Sequence, residues 1–301
     1  MNTTLQVTPA RRKFHFKRVL PYLFISPFFI MYSIFGFFPL LSGIKLALES
    51  NKGAFVGIEN FQKVFGDSRY WLAIRNAIMY TCGSVFIILP IALIAALLLY
   101  SPRIGKMRGW VSTVYFLPSV TSVIVIGIVF KFLLKANDGP INTLLKLLRL
   151  TDDNLRFLSD PNLAITSLVI VGSWRYFGIN SLYFLSGLQG IPHELREAAR
   201  IDGANPIQEF FRIQLPLLKP IMTYIVFTAI VGSFGMFGEV YTLVGVGGTG
   251  ARNSMLFPMV YLYNTLFRDN MMNRASAMGY VLAVILLIIT TIQRRLLRSD
   301  Y

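Results

Sequence analysis

Glu197-Ala198-Ala199-Arg200-Ile201-Asp202-Gly203-Ala204, continued by Phe210-Phe211-Arg212-Ile213-Gln214-Leu215-Pro216 and Pro220, forms a charged island between two long apolar runs. Pro192 suits a helix start, because its missing N–H is one of the donors a first turn leaves unpaired anyway. Glu194 and Glu197 then put negative charge in or near that turn, where it complements the helix dipole. The spacing predicts a short helix from Glu194 to Ile201, ended by Gly203, which can adopt the positive φ of a C-terminal cap. Asn205-Pro206 opens a second short helix through Ile207, Phe210 and Phe211 towards Ile213, stopping near Pro216. The expected unit is helix, glycine elbow, helix. Its chemistry fits two roles equally well, an amphipathic linker resting on lipid headgroups or a grip for a partner at the membrane surface.

Outward from the island the chain is membrane-like. Hydrophobic residues make up 54% and charged residues 14%, against about 25% charged in an average soluble domain. Six windows carry one charge or none: Val19 to Ile44, Asn76 to Pro102, Gly109 to Phe130, Pro161 to Leu188 with Arg175 inside it, Pro220 to Gly238, and Ala275 to Gln293. Each reaches the roughly 17 to 25 residues a helix needs to cross about 30 Å of hydrocarbon. Six crossing helices are expected, because in lipid a backbone must satisfy its own hydrogen bonds. The first window is longer than the roughly 7 to 15 apolar residues of a signal peptide and contains Pro21, Pro27 and Pro39, so it reads as a retained, proline-bent helix. Cys82 is the one cysteine, which leaves no intrachain disulfide and no statement about redox compartment.

Orientation follows from Lys and Arg in alternate loops. One side collects fifteen, in Arg11 to Arg18, Arg103 to Arg108, Arg196 to Lys219 and Arg294 to Arg298; the other holds thirteen in longer loops that also carry eight acids. Both termini and the Glu197 island are therefore expected to be cytoplasmic. The net charge of +15 is not a nucleic-acid signature, because the basic residues flank apolar spans instead of forming a face interleaved with aromatics. Anionic headgroups are the simpler partner, and Arg11 to Arg18 reads as a membrane-surface anchor.

Several chemistries are excluded or disfavoured. Gly245-Val246-Gly247-Gly248-Thr249-Gly250 spells a dinucleotide fingerprint, yet it follows an apolar helix and no βαβ unit surrounds it, so it reads as a turn outside the cytoplasm. No G-x-x-x-x-G-K-[ST] occurs, so ATP phosphates are not cradled by that route and energy must come from another subunit. An integral-membrane enzyme needs convergent acids, bases or metal ligands, whereas the chain has only His15, His193 and Cys82 to add to its carboxylates. No catalytic and no metal-binding residue is assigned.

The island resembles the EAA loop of bacterial ABC import permeases, whose pattern is EAA, then a glycine, then I-x-L-P. Gly190-Ile191-Pro192, Glu197-Ala198-Ala199, Asp202-Gly203-Ala204, Phe211, Ile213 and Leu215-Pro216 all coincide with the carbohydrate-importer version. Ser26-Pro27-Phe28, Phe38-Pro39-Leu40 and Phe55-Val56-Gly57-Ile58-Glu59-Asn60-Phe61 look like the opening of the maltose-type, first-permease branch, and Val240-Tyr241-Thr242-Leu243 with Gly247-Gly248, then Ala275 to Met278, like its end. The large insertion of the maltose protein is absent, and the family's threonine-glycine-glycine-glycine-proline is altered to the Gly245–Gly250 loop.

The resemblance implies an all-α integral membrane protein with six transmembrane helices and the type I ABC importer permease fold. Residues 1–18 would be a cytoplasmic basic segment, 19–294 the permease domain with its coupling loop at 190–218, and 295–301 a cytoplasmic tail. Glu197, Ala198, Ala199, Asp202, Gly203, Ala204, Phe211, Ile213, Leu215 and Pro216 would couple to the ATPase. The implied partners are a second homologous permease, two ATPase subunits or domains carrying ATP and Mg, and an extracytoplasmic solute-binding protein; this chain itself carries no cofactor. The implied place is a bacterial or archaeal inner membrane, crossed several times, and the implied function is sugar or oligosaccharide import by alternating access. A passive channel is disfavoured by the coupling motif.

Within the spans, Trp174, Arg175, Tyr176, Asn180 and Tyr183 on the fourth helix and Tyr224, Phe227, Thr228, Gly232, Ser233 and Phe234 on the fifth are candidates for the solute pathway. Aromatic faces with a few hydrogen-bonding groups match sugars, which present apolar ring faces and a rim of hydroxyls; the same residue types also serve helix packing in bilayers. Arg175 and Glu239 are the costly charges, because an ionised group within a span normally faces the bundle interior or a wet cavity. Glu239, near a helix end, has solvation open to it. Arg175 is open to pairing with an acid, lining the pathway, or snorkelling. If it lines the pathway, the cargo would be glycerol phosphate or an acidic sugar; if it is paired, a neutral oligosaccharide.

Overall fold

The first apolar run, read through a computed structural model that describes residues 16–297 apart from Val246, is helical throughout. α1 (Phe16–Tyr32) passes through a π turn at Ser33–Phe37 into α2 (Phe38–Ala47), with Pro21 and Pro27 inside α1 and Pro39 in the first turn of α2. From Leu20 to Leu46 no residue is buried, and Phe24, Phe28, Phe35 and Phe38 stand open. Such a surface is stable only against lipid or another chain. The basic residues expected to anchor the N-terminus, and Arg298 in the tail, lie outside the described side chains.

α3 (Glu59–Phe65) follows a turn in which Asn60 Nδ2 donates to the carbonyls of Ala47 and Glu49 at 2.9 and 2.8 Å, satisfying the end of α2. Asp67 caps α4 (Ser68–Tyr100), accepting from the Arg69 N–H at 2.9 Å. The 33 residues of α4 span about 50 Å at 1.5 Å per residue, and the helix stops where Ser101 turns extended before Pro102. α5 (Arg108–Val120) and α6 (Val123–Leu133) come next, then α7 (Pro140–Leu147) and α8 (Pro161–Gln189), which Asp160 caps through the Asn162 N–H at 2.8 Å.

The island forms α9 (His193–Ile201), α10 (Pro206–Glu209), a π turn at Phe210–Gln214 and α11 (Leu215–Leu217), leading into α12 (Lys219–Phe234). α13 (Gly238–Val244), α14 (Pro258–Phe267) and α15 (Met272–Leu296) complete the chain. The one departure from helix and loop among the described residues is an isolated bridge between Glu49 and Phe55.

The third window is not one helix. α5 and α6 meet at 91°, because Pro118 removes a helical N–H and Thr121 and Ser122 are extended. The hydroxyls of Ser119 and Thr121 then donate to the carbonyls of Phe116 and Leu117 at 2.6 and 2.9 Å, pairing groups the break would orphan. The fifth window also stops short, at Phe234, and Gly238 starts a new helix. A second bend, of 58°, separates the island's helix from α12, where Pro220 interrupts the ladder.

Among the described residues, Leu20–Ala47, α4 and α15 are each long and apolar enough to cross a bilayer, and each bent pair adds one more, five in all. α8 falls outside that set although it has 29 residues. The polar groups that dilute its apolarity, among them Ser167, Ser173, Asn180 and Ser181, are buried inside the bundle. The chain is an all-α integral membrane protein.

α8 lies at the centre, against α4 and α5. Glycines permit this approach: a Cβ on Gly172 would strike the Tyr80 hydroxyl, and one on Gly178 the Tyr115 carbonyl, as expected where small residues let membrane helices close on one another. One buried cluster, with Tyr70, Tyr80, Phe234, Phe257 and Met278, ties α4 to α12, α14 and α15. A second, with Leu99, Phe184, Leu188, Leu218 and Ile225, closes the end at which α9 sits. At that end too, Gln293 Nε2 near the close of α15 donates to the Thr223 carbonyl at 3.0 Å.

Candidate functional site

The island begins with Pro192 extended, as the cap of α9 and not its first turn. Gly203 turns the chain at φ +83°. Asn205 and Gln208 form a reciprocal capping box, each side chain on the other's backbone N–H at 2.9 Å. The second helix then carries an i→i+5 turn, Leu215 N–H to Phe210 C=O, which a plain helical pattern does not announce. Only Ala199 of α9 is buried. Leu195, Glu197, Ala198, Ile201, Asp202, Gly203, Ile207 and Phe211 are exposed, Ile201 by 86%, while Ala204, Ile213, Leu215 and Pro216 are half-buried. Among the described residues Glu197 reaches only His193, one turn back, at 3.2 Å. The island thus presents a surface of open apolar groups beside an accessible carboxylate.

Beneath this face Arg196 and Arg200 converge on Glu209. Arg196 Nε donates to Oε1 at 2.6 Å and Arg200 Nε to Oε2 at 3.0 Å; Gln214 Nε2 donates to Oε1 at 2.8 Å. Burial pushes the Glu209 carboxyl up, but the hydrogen bonds from Arg196, Arg200 and Gln214 outweigh it and hold its pKa below the usual value. Arg196 also donates from Nη1 to the Tyr100 hydroxyl at 2.7 Å, with its guanidinium carbon 5.3 Å from the ring centroid.

Farther into the bundle α4, α5, α8 and α12 enclose a cavity of about 410 Å³. Tyr176, Asn180 and Tyr183 line it from α8, Thr228, Gly232 and Ser233 from α12, Tyr80 and Ser84 from α4, Phe116 and Ser119 from α5, and Glu239 at one end. Arg175 lies behind that wall, its Nη1 2.6 Å from Glu239 Oε1 and its guanidinium 5.1 Å from the Tyr176 ring centroid. Both side chains are about one-sixth exposed, at 15% and 16%.

Residues 88–299 match the family of binding-protein-dependent transport system inner membrane components. The chain belongs to that family. Among its relatives, the arabinooligosaccharides transport system permease protein AraP of Bacillus subtilis is 33% identical over 95% of this chain and 91% of its own length. The lactose transport system permease protein LacF of Rhizobium radiobacter is 30% identical, covering 90% and 92%. The fold matches a chain of a bacterial ABC transporter involved in the import of the acidic polysaccharide alginate, with a TM-score of 0.82 at 22% identity over 94% of this chain and 97% of that one.

In this permease six of the expected pathway residues, Tyr176, Asn180, Tyr183, Thr228, Gly232 and Ser233, meet at the cavity. The other five, Tyr224 among them, are placed elsewhere. Trp174 packs its ring on Phe130, Arg175 is on Glu239, Phe227 is exposed, and Phe234 is in the core. Tyr224 stacks edge-on with Tyr183. Sequence reading missed Tyr80, Ser84, Phe116 and Ser119, which lie in the uncharged stretches Asn76 to Pro102 and Gly109 to Phe130. It also missed Glu209, whose only signal is an acid following the Asn205-Pro206 helix start.

Proposed function

We propose that this permease carries a neutral sugar or oligosaccharide into the cell as one half of a heterodimeric pathway, driven by ATP hydrolysis on separate subunits. Six crossings are assigned, with α8 as the one that apolarity alone does not mark, since its 29 residues cover about 43 Å. Both termini and the island face the cytoplasm. The exposed face of α9, with Glu197 and Ile201, receives the ATPase; a second permease covers apolar surface this chain leaves open; a solute-binding protein delivers the cargo from outside. ATP-driven closure of the ATPases pulls on the island and exposes the cavity alternately to either side.

The observation that carries the neutral reading is the Arg175–Glu239 pair. It is Glu239 and not Arg175 that lines the cavity, so a solute meets an acceptor carboxylate backed by its own counter-ion, suited to hydroxyl donors and unsuited to an anion. An anionic cargo such as glycerol phosphate or an acidic sugar would need a cation in the lining, and Arg175 is committed elsewhere. The test is to measure binding of neutral and acidic glycans by the cognate solute-binding protein, and uptake by the reconstituted importer with Asn180→Ala and Tyr183→Ala. Saturable uptake of a neutral glycan, reduced tenfold or more by both variants at unchanged complex yield, is expected; preferential uptake of an anion would reject the reading.

A further inference from the structure

Glu209 is 3% exposed, on the side of the island away from its docking face. Its two oxygens take three donors from three places: Arg196 and Arg200, one helical turn apart on α9, and Gln214 beyond the π turn. In an α-helix a residue five positions on points well away from its start, whereas an i→i+5 turn returns it towards the same side. The π turn at Phe210–Gln214 therefore brings Gln214 back to Glu209.

What α9 rests on makes this carboxylate necessary. The helix buries one methyl side chain, Ala199, too little apolar area to hold it against the bundle. Arg196 and Arg200 would repel one another at this spacing without an anion between them. With Glu209 in place, Arg196 is oriented to reach the Tyr100 hydroxyl and ring at the last turn of α4. α4 runs as one helix, with Pro90 inside it, from Tyr100 back to Ile88, Ser84 and Tyr80, and these last three are in the cavity wall.

We infer that Glu209 is a positioning residue that makes α9 and the end of α4 move as one body, so that a pull on the docking face is transmitted along α4 to the solute cavity. This rests on the coupling role assigned to the island. Glu209 touches neither the partner nor the cargo; it sets whether displacement of α9 reaches the wall or is lost in the loop.

The test uses the assembled importer, with its partner permease, ATPase and binding protein, carrying Glu209→Gln, Tyr100→Phe or, as the reference for docking, Glu197→Lys. Glu209→Gln keeps the shape and removes the charge; Tyr100→Phe keeps the ring and removes only the hydroxyl. Expected for both are complex yield within twofold of wild type, amide exchange over 193–204 at least tenfold faster, and at least a tenfold loss in ATP hydrolysis stimulated by the loaded binding protein. Unchanged exchange, or full stimulation despite faster exchange, would overturn the inference. Release of the ATPase by Glu209→Gln would also overturn it, by making the residue part of docking. Should Glu209→Gln not accumulate, Tyr100→Phe decides on the same two readings. Normal transport by Glu197→Lys would remove the coupling role itself, an outcome separate from any behaviour of Glu209.

Discussion

Arg175 on α8 and Glu239 at the start of α13, 64 residues apart, meet through Nη1 and Oε1 at 2.6 Å at the end of the cavity between α4, α5, α8 and α12. The pair converts two charges, each expensive within a span, into one neutral unit that joins the central helix to the segment after α12. Removing one partner strands the other, at a cost of about 3–5 kcal/mol. Arg175→Gln and Glu239→Gln should each lower the amount of assembled complex, and the double variant should recover most of it. Yield and uptake measured together decide this: unchanged yield with lost uptake in Arg175→Gln would assign the arginine to the cargo.

Charge and shape divide differently in the island. Glu197 has an exposed carboxylate, so Glu197→Lys should leave the protein in the membrane and abolish transport by reversing a charge-assisted contact. Gly203 has open space where a Cβ would stand but a φ of +83°. Gly203→Ala should therefore cost only about 1–2 kcal/mol in the loop, whereas Gly203→Pro cannot adopt that φ at all and should abolish transport. Pull-down of the ATPase alongside uptake checks both, and normal uptake by Glu197→Lys with an intact complex would sink the docking role.

Topology is tested by single cysteines in a Cys82-free background, since Cys82 is itself exposed. Lys106, Asn205, Lys63 and Asp153 are all exposed positions. Cysteines at Lys106 and Asn205 should be shielded from an impermeant thiol reagent applied outside intact cells, and those at Lys63 and Asp153 should react. The opposite labelling pattern would invert the orientation.

Close approach of α8 to its neighbours predicts a graded series. A Cβ at Gly178 would strike the Tyr115 backbone, which cannot move aside, while one at Gly83 would meet the Val169 side chain at 3.1 Å. Gly178→Ala should destabilise the complex by about 1–3 kcal/mol, the range for overpacking, and Gly83→Ala by less, read as the shift in its thermal aggregation midpoint. Equal shifts would mean that α5 yields to accommodate the added methyl.

The membrane class, the helix–elbow–helix island and most of the helical segments are legible in the chain itself, because they depend on local causes. These are apolar run length, a proline at a helix start, and a glycine free to take positive φ. The break at Thr121-Ser122 and the π turn at Phe210–Gln214 are not legible in that way, since proline alone does not say whether a helix continues, and the added turn residue is held by contacts made elsewhere. The same limit applies to charges. Sequence narrows Arg175 to pairing, lining or snorkelling, and exposes Glu197 as part of a motif. Only the packing of α13 against α6, which brings its first turn within reach of Arg175 on α8, selects Glu239 as the partner of Arg175, and only the packing of α10 under α9 turns Glu209 from an acid near a helix start into a buried acceptor for two arginines. Periodicity and capping act over a few residues, while the choice of an ionic partner depends on which distant helices share the same low-dielectric space.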